Sequence, residues 1–279
     1  MVRILADSSS DCMLSELQEK NIDLIPISVT FQGKEYRDGI DIDKNEFFKN
    51  LTESDDFPQT SQPSPQVFLD VFKDVKKNND EIVCILLSSS LSGTYQSAML
   101  AKTMANYDKI YIVDSLTASY PIKIMLDYAC ELRGKGFSAK DIASKIENLK
   151  SHVKIYAVLD TLKYLQKGGR LSKAAATIGN LANIKPTIAV TEDGNVGVLG
   201  KSIGKNKATN TLLEKIGALE IDTNFPIYTI YSYGVENLMK FEKKLEDLNY
   251  KITERLQIGT TIGTHIGPEA FGIVFVTKS

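Results

Sequence analysis

The run Ile82-Val83-Cys84-Ile85-Leu86-Leu87 is apolar without interruption. A strand with one wet face alternates apolar and polar side chains, whereas an unbroken run of this length reads as a strand covered on both faces. Covering both faces takes helices above and below, and the flanking sequence supplies them. Val2 to Ala6 and Lys109 to Asp114 read as further strands. Helical patterns open at Ser64-Pro65, with Val67, Phe68, Val71, Phe72 and Val75, and again from about Gly93 to Met104. Two more helices fall near 118–133 and 138–150. A βαβα order of this kind predicts a mainly parallel sheet wrapped by helices.

Asp11 to Glu19 reads as a helix with Asp11 as its cap. Ile22 to Phe31 reads as extended, ending in a Gln32-Gly33 turn. Asp43 with Glu46 three residues on forms a capping box ahead of Phe47, Phe48 and Leu51. After Lys154 the pattern changes. One short strand leads to Leu162–Gln166, Gly168-Gly169-Arg170 and a small-residue helix from Ser172. Pro186 to Ser202 predicts a hairpin turning at Asp193-Gly194. Two helices with the strand Ile227 to Tyr233 follow, and the chain closes with Ile252 to Gln257 and Phe271 to Val276. A chain of 279 residues usually divides its core. The expectation is two α/β domains, residues 1–150 and 151–279, the first with a mainly parallel sheet flanked by helices.

A formal net charge of -2 argues against a nucleic-acid or anionic-membrane surface. Cys12, Cys84 and Cys130 match no zinc or redox spacing, which fits free thiols in a reducing, cytoplasmic compartment. The first twenty residues do not read as a signal peptide, and no apolar stretch is long enough to span a membrane.

Hydroxyl-rich loops recur in the first half: Asp7-Ser8-Ser9-Ser10-Asp11, Thr60-Ser61-Gln62-Pro63-Ser64 and Ser88-Ser89-Ser90-Leu91-Ser92-Gly93-Thr94. Parallel sheets bind ligands beyond the carboxyl ends of their strands. Helix N-termini and hydroxyls there suit an anion, and Gly93 admits close approach of the backbone to a ligand. The same residue types are also ordinary helix caps. With no Lys or Arg in the second and third loops, no GxxxxGK[ST] and no GxGxxG, a nucleotide is a poor fit. His265 lies between Gly263 and Gly267. It reads either as a structural histidine or as one approached closely by a ligand. His152 reads as a solvated helix end. Ser92 with His265, and Asp7 or Asp114 as orienter, gives an alternative reading as a serine-dependent acyl-ester or thioester hydrolase, although the GxSxG elbow is absent.

Taken together, DSSSD, TSQPS, SSSLSGTYQSA, QKGGR and the glycine-flanked histidine resemble the DegV family, in order and over essentially the whole chain. The resemblance implies two α/β domains with a long-chain fatty acid held between them. It also implies a dihydroxyacetone-kinase-like fatty acid kinase as partner. The acyl carboxylate would meet Thr60 or Ser61, Ser92 and, directly or through water, His265, with Arg170 near the head group. Such a protein is a carrier and not a catalyst. It needs no cofactor or metal of its own, because the kinase supplies nucleotide and metal, and it has no stable insertion in a membrane. The family's basic kinase-facing stretch reads here Lys201-Ser202-Ile203-Gly204-Lys205-Asn206-Lys207, with lysines where arginines are usual. For the tail, Ile25, Ile27, Val29, Ile262 and Ile266 are candidate lining residues.

Overall fold

The computed structural model describes residues 1–171 and 184–278. In chain order its strands are β1 (Val2–Asp7), β2 (Ile22–Ile25), β3 (Ser28–Phe31), β4 (Lys34–Arg37), β5 (Gln59–Ser61), β6 (Glu81–Leu86), β7 (Ile110–Asp114), β8 (Val153–Val158), β9 (Ile184–Val190), β10 (Val196–Ile203), β11 (Tyr228–Tyr231), β12 (Glu254–Gln257) and β13 (Phe271–Val276). Its helices are α1 (Leu14–Glu19), α2 (Lys44–Glu53), α3 (Pro65–Lys77), α4 (Thr94–Ala105), α5 (Tyr120–Gly134), α6 (Ala139–Leu149), α7 (Lys163–Lys167), α8 (Lys205–Gly217), α9 (Glu236–Asp247) and α10 (Thr260–Ile266). The helix expected from Ser172 lies outside the described residues. No helix among the described residues is long and apolar enough to cross a membrane.

The first sheet has the order β2-β1-β6-β7 and every pairing in it is parallel. Its two faces separate residue by residue. Val83 and Ile85 of β6 join Ile122, Met125, Ile142 and Ile146 of α5 and α6. Their neighbours Ile82, Cys84 and Leu86 join Phe68 and Phe72 of α3 and Ala98 and Ala101 of α4. Strand side chains point alternately up and down, so a run apolar at every position is what two covered faces require. The expected parallel sheet flanked by helices is present.

The second sheet, β10-β9-β8-β13-β11-β12, is antiparallel except for β11 beside β12. One face carries α8 and α9, where Leu212, Ile216, Leu238 and Phe241 meet Ile273 and Phe275. The other face meets α5. That helix is buried at every position from Tyr120 to Leu126, and its apolar residues share one cluster with Val153, Ala157 and Val274 of the second sheet. A small third sheet, β4-β3-β5, is closed by Phe47, Phe48 and Leu51 of α2. Asp43 caps α2 by accepting from the amides of Asn45 and Glu46, at 2.8 and 3.1 Å.

Two local expectations are corrected. Asp11 does not cap α1, since Met13 holds that position. Ser8–Ser10 form a 3₁₀ turn, and Asp11 follows it in the left-handed region (φ 59°) with its carboxylate turned inward to accept from the Ser119 hydroxyl. The stretch Ile22 to Phe31 is extended but not one element. It breaks at Pro26, which has no amide hydrogen to continue a ladder, and its two parts enter different sheets. The hairpin forms as expected, with Asp193-Gly194 in its turn and Gly194 at φ 78°.

Candidate functional site

The three hydroxyl loops have different fates. In the first, the Asp7 carboxylate accepts from the Ser9 amide (2.9 Å), the Ser9 hydroxyl and the Leu87 amide (2.7 Å). The Ser8 hydroxyl accepts from the Ile27 amide at 3.0 Å. This loop is a buried brace that fixes the end of β6, and none of its serines lines the cavity that the other two loops border. Thr60, Ser61 and Ser92 stand on the wall of a cavity of about 400 Å³, together with Arg170 and His265. Five of the six residues expected at the ligand are therefore on one surface. The sixth, Gly93, is not. Its open side is filled by the carboxamide of Gln62, so the space it leaves goes to a neighbouring side chain.

The cavity lies between the two large sheets. Ile27, Leu87, Leu91 and Ala118 close it from the first half, and Ile155, Leu159, Ile188 and Ile230 from the second. Ile262 and Ile266 of α10 also line it. Ile25 and Val29 do not: Ile25 packs with Phe68 and Phe72, and Val29 with Phe31 and Phe47. The walls are mainly apolar, and the polar groups are few and mostly uncharged. Ligand sites commonly have this composition.

His265 sits in the last turn of α10, where the sequence reads only as a glycine-flanked stretch. Gly263 and Gly267 are needed because the Phe48 and Tyr164 rings lie where their side chains would be, each within 2.5 Å of an added Cβ. Both glycines thus serve helix packing, and the histidine is aimed by that packing. Its Nε2 is 2.9 Å from Thr60 Oγ1. Its Nδ1 is buried, faces Gly168 and has no hydrogen-bond partner among the described residues. Burial, and then the nearby positive charge of Arg170, hold the imidazole down to about 4. It is neutral at neutral pH, one of its nitrogens carrying hydrogen and the other a lone pair.

Arg170 Nε donates to the Leu91 carbonyl at 3.1 Å and its Nη1 donates to the Gly168 carbonyl, so it ties the QKGGR segment to the third loop. The Ser92 hydroxyl is 2.9 Å from Thr94 Oγ1 and accepts from the Thr94 amide at 3.3 Å. Among the described residues no Ser-His-Asp relay is assembled. His265 bonds to Thr60, Asp7 is engaged as described, and Asp114 accepts from the amides of Ser89 and Leu116, at 3.0 and 3.1 Å.

The tip of the β9–β10 hairpin reaches the third loop from the opposite half. Ser88 Oγ donates to the Gly194 carbonyl (2.9 Å) and Ser90 Oγ to that of Asp193 (2.6 Å). His152 lies in the turn before β8, its carbonyl accepting from the Thr277 amide at 2.9 Å. Sequence reasoning missed three polar wall residues, Gln62, Ser119 and Thr261. Gln62 was visible inside TSQPS. Thr261 is four residues before His265, which places both on one face once a helix is known to be there.

A sequence model described as an uncharacterised protein of the DegV family matches residues 1–278. A DegV domain-containing protein of Caldanaerobacter subterraneus subsp. tengcongensis is 35% identical over 280 residues, covering 99% of both chains. A fatty-acid-binding DegV family protein from Thermus thermophilus superposes with a TM-score of 0.88 at 28% identity, over 99% of both chains. A stearic-acid-binding protein from Eubacterium ventriosum superposes with a TM-score of 0.86 at 28% identity, over 100% of this chain and 99% of its own. Fold, cavity and sequence agree, and this chain belongs to the DegV family.

Proposed function

We propose that this protein binds a long-chain fatty acid, with the tail in the inter-sheet cavity and the carboxylate among Thr60, Ser61, Ser92, Arg170 and His265. One observation carries the reading: an apolar cavity of about 400 Å³ with hydroxyls, a neutral imidazole and a single guanidinium on its wall. Each buried CH₂ contributes about 0.8 kcal/mol, so the tail supplies most of the affinity. The head group then needs its oxygens satisfied, which hydroxyls and N–H groups can do. Fatty-acid binding by the Thermus thermophilus and Eubacterium ventriosum proteins supports the same reading.

On this reading the protein is a carrier that offers the carboxylate to a dihydroxyacetone-kinase-like fatty acid kinase for acyl-phosphate formation, as a step towards phospholipid. The engagement of Asp7 and Asp114 away from His265 favours carriage over ester hydrolysis. The segment Lys201–Lys207, which runs from β10 into α8, is the proposed kinase-facing surface. The free thiols of Cys12, Cys84 and Cys130 fit a cytoplasmic site of action. We place the domain division near residue 150, between α6 and β8.

The test is denaturing extraction and mass spectrometry of the purified protein, followed by titration of the delipidated protein with palmitate and oleate. Co-purified fatty acid, or saturable binding of either lipid, is the expected result. An empty protein that takes up neither would overturn the proposal.

A further inference from the structure

The two loops that carry head-group hydroxyls belong to different parts of the fold. Thr60 and Ser61 are on β5, which among the described residues pairs with β3 of the small sheet alone. Ser92 follows β6 of the parallel sheet and precedes α4. The backbone ladders alone therefore leave the distance between these hydroxyls unfixed. The Gln62 side chain spans the gap directly. Gln62 Nε2 donates to the Ser97 hydroxyl in the first turn of α4, at 3.1 Å, and Ser97 is buried. The same carboxamide lies against Gly93. A Cβ added there would sit 1.8 Å from Gln62 Oε1, with the next nearest atoms being Cδ and Nε2 of that same residue.

We infer that Gln62 is a positioning residue for the lipid head group: its carboxamide, seated on Gly93 and bonded to Ser97, holds Thr60 and Ser61 in register with Ser92. This rests on the fatty-acid reading above and deepens it. A carboxylate that accepts from both loops is bound well only if the loops are pre-spaced, because binding energy otherwise goes into ordering them. Gln62 itself is exposed, so its loss affects binding more than folding. Gly93 is required as the floor on which the carboxamide rests.

The geometry sets a double-mutant test. Palmitate is titrated into delipidated wild type, Gln62→Ala, Ser97→Ala, Gly93→Ala and the double variant Gln62→Ala/Gly93→Ala, with melting temperature followed in parallel. Gln62→Ala and Ser97→Ala are each expected to weaken binding about fivefold, the loss of roughly one hydrogen bond's worth of order, with melting temperature unchanged. Gly93→Ala should weaken binding similarly by displacing the carboxamide. The double variant should be no worse than either single one, since the carboxamide that the added methyl would displace is already gone. Ser97 does not line the cavity. If Ser97→Ala binds as wild type while Gln62→Ala is weak, Gln62 touches the lipid directly and the inference is wrong. Additive losses in the double variant, or full affinity in Gln62→Ala, overturn it equally. Failure of the wild type to bind palmitate would instead sink the fatty-acid reading itself.

Discussion

Thr60 Oγ1 and His265 Nε2 lie 2.9 Å apart, although 205 residues separate them along the chain. This contact joins the small sheet to α10 at the cavity wall. It orients the His265 ring on the wall proposed to receive the head group.

The histidine gives a pH dependence with a definite sign. Burial and Arg170 hold it down to about 4, from an ordinary value of 6.5. The folded protein therefore binds fewer protons there than the unfolded chain. The associated stability is full above the unfolded value and is lost as pH falls towards the folded one. Burial pushes Asp7 up to about 6 and Asp11 up to about 7, so their contributions run the opposite way across this window. Comparing wild type with His265→Asn cancels them. In urea titrations the wild type should lose about 2 kcal/mol relative to the variant on going from neutral pH to about pH 4.

Ser92→Ala removes one hydroxyl from the proposed carboxylate site. Palmitate affinity should fall by 1–3 kcal/mol, about 5- to 150-fold, as for an under-satisfied buried acceptor. Calorimetric titration measures it. A nitrophenyl acyl ester should show no turnover with either wild type or variant, and a turnover abolished by Ser92→Ala would revive the hydrolase reading.

Gly168→Ala places a methyl 2.2 Å from His265 Nδ1 and 3.2 Å from the Tyr164 carbonyl. The imidazole must turn away and its contact with Thr60 goes with it. Lipid affinity should drop about tenfold or more, and the upfield or downfield position of the His265 ring protons in NMR spectra should shift with it. Unchanged ring shifts would contradict this.

Ile188 is buried on the cavity wall. Ile188→Trp should shorten the space left for a tail. The variant is expected to keep its fold by circular dichroism and to favour laurate over stearate relative to wild type. Overpacking a wall of this kind costs about 1–3 kcal/mol of stability, which the melting temperature will show.

Much of the first half was legible because its signals are local. The unbroken apolar run at Ile82 marks a doubly covered strand, Ser64-Pro65 marks the start of α3, and Asp43 caps α2 as its spacing predicts. What was not legible depends on partners far along the chain. Asp11 has the side chain of a cap, yet Ser119, 108 residues away, draws it inward. Gly93 reads as an opening for a ligand, and only the fold reveals the Gln62 carboxamide over it. Ile27 lines the cavity whereas Val29 does not, because a period of two says which residues share a face but not what that face meets. The helix around His265 was hidden for a related reason. Its glycines weaken any helical signal, and the rings of Phe48 and Tyr164 that require them are fixed by tertiary packing.

The position of α5 between the two large sheets has a consequence for how the molecule comes apart. Its apolar residues form a single cluster with strands from both, so a polypeptide cut at residue 150 leaves one half with a bare helix flank and the other with a bare sheet. Each fragment keeps the apolar layer on its outer face, but the shared layer around α5 is opened to water in both. Melting of the intact chain should therefore register in a calorimeter as one cooperative endotherm, and lipid taken up in the cavity should raise the whole of it.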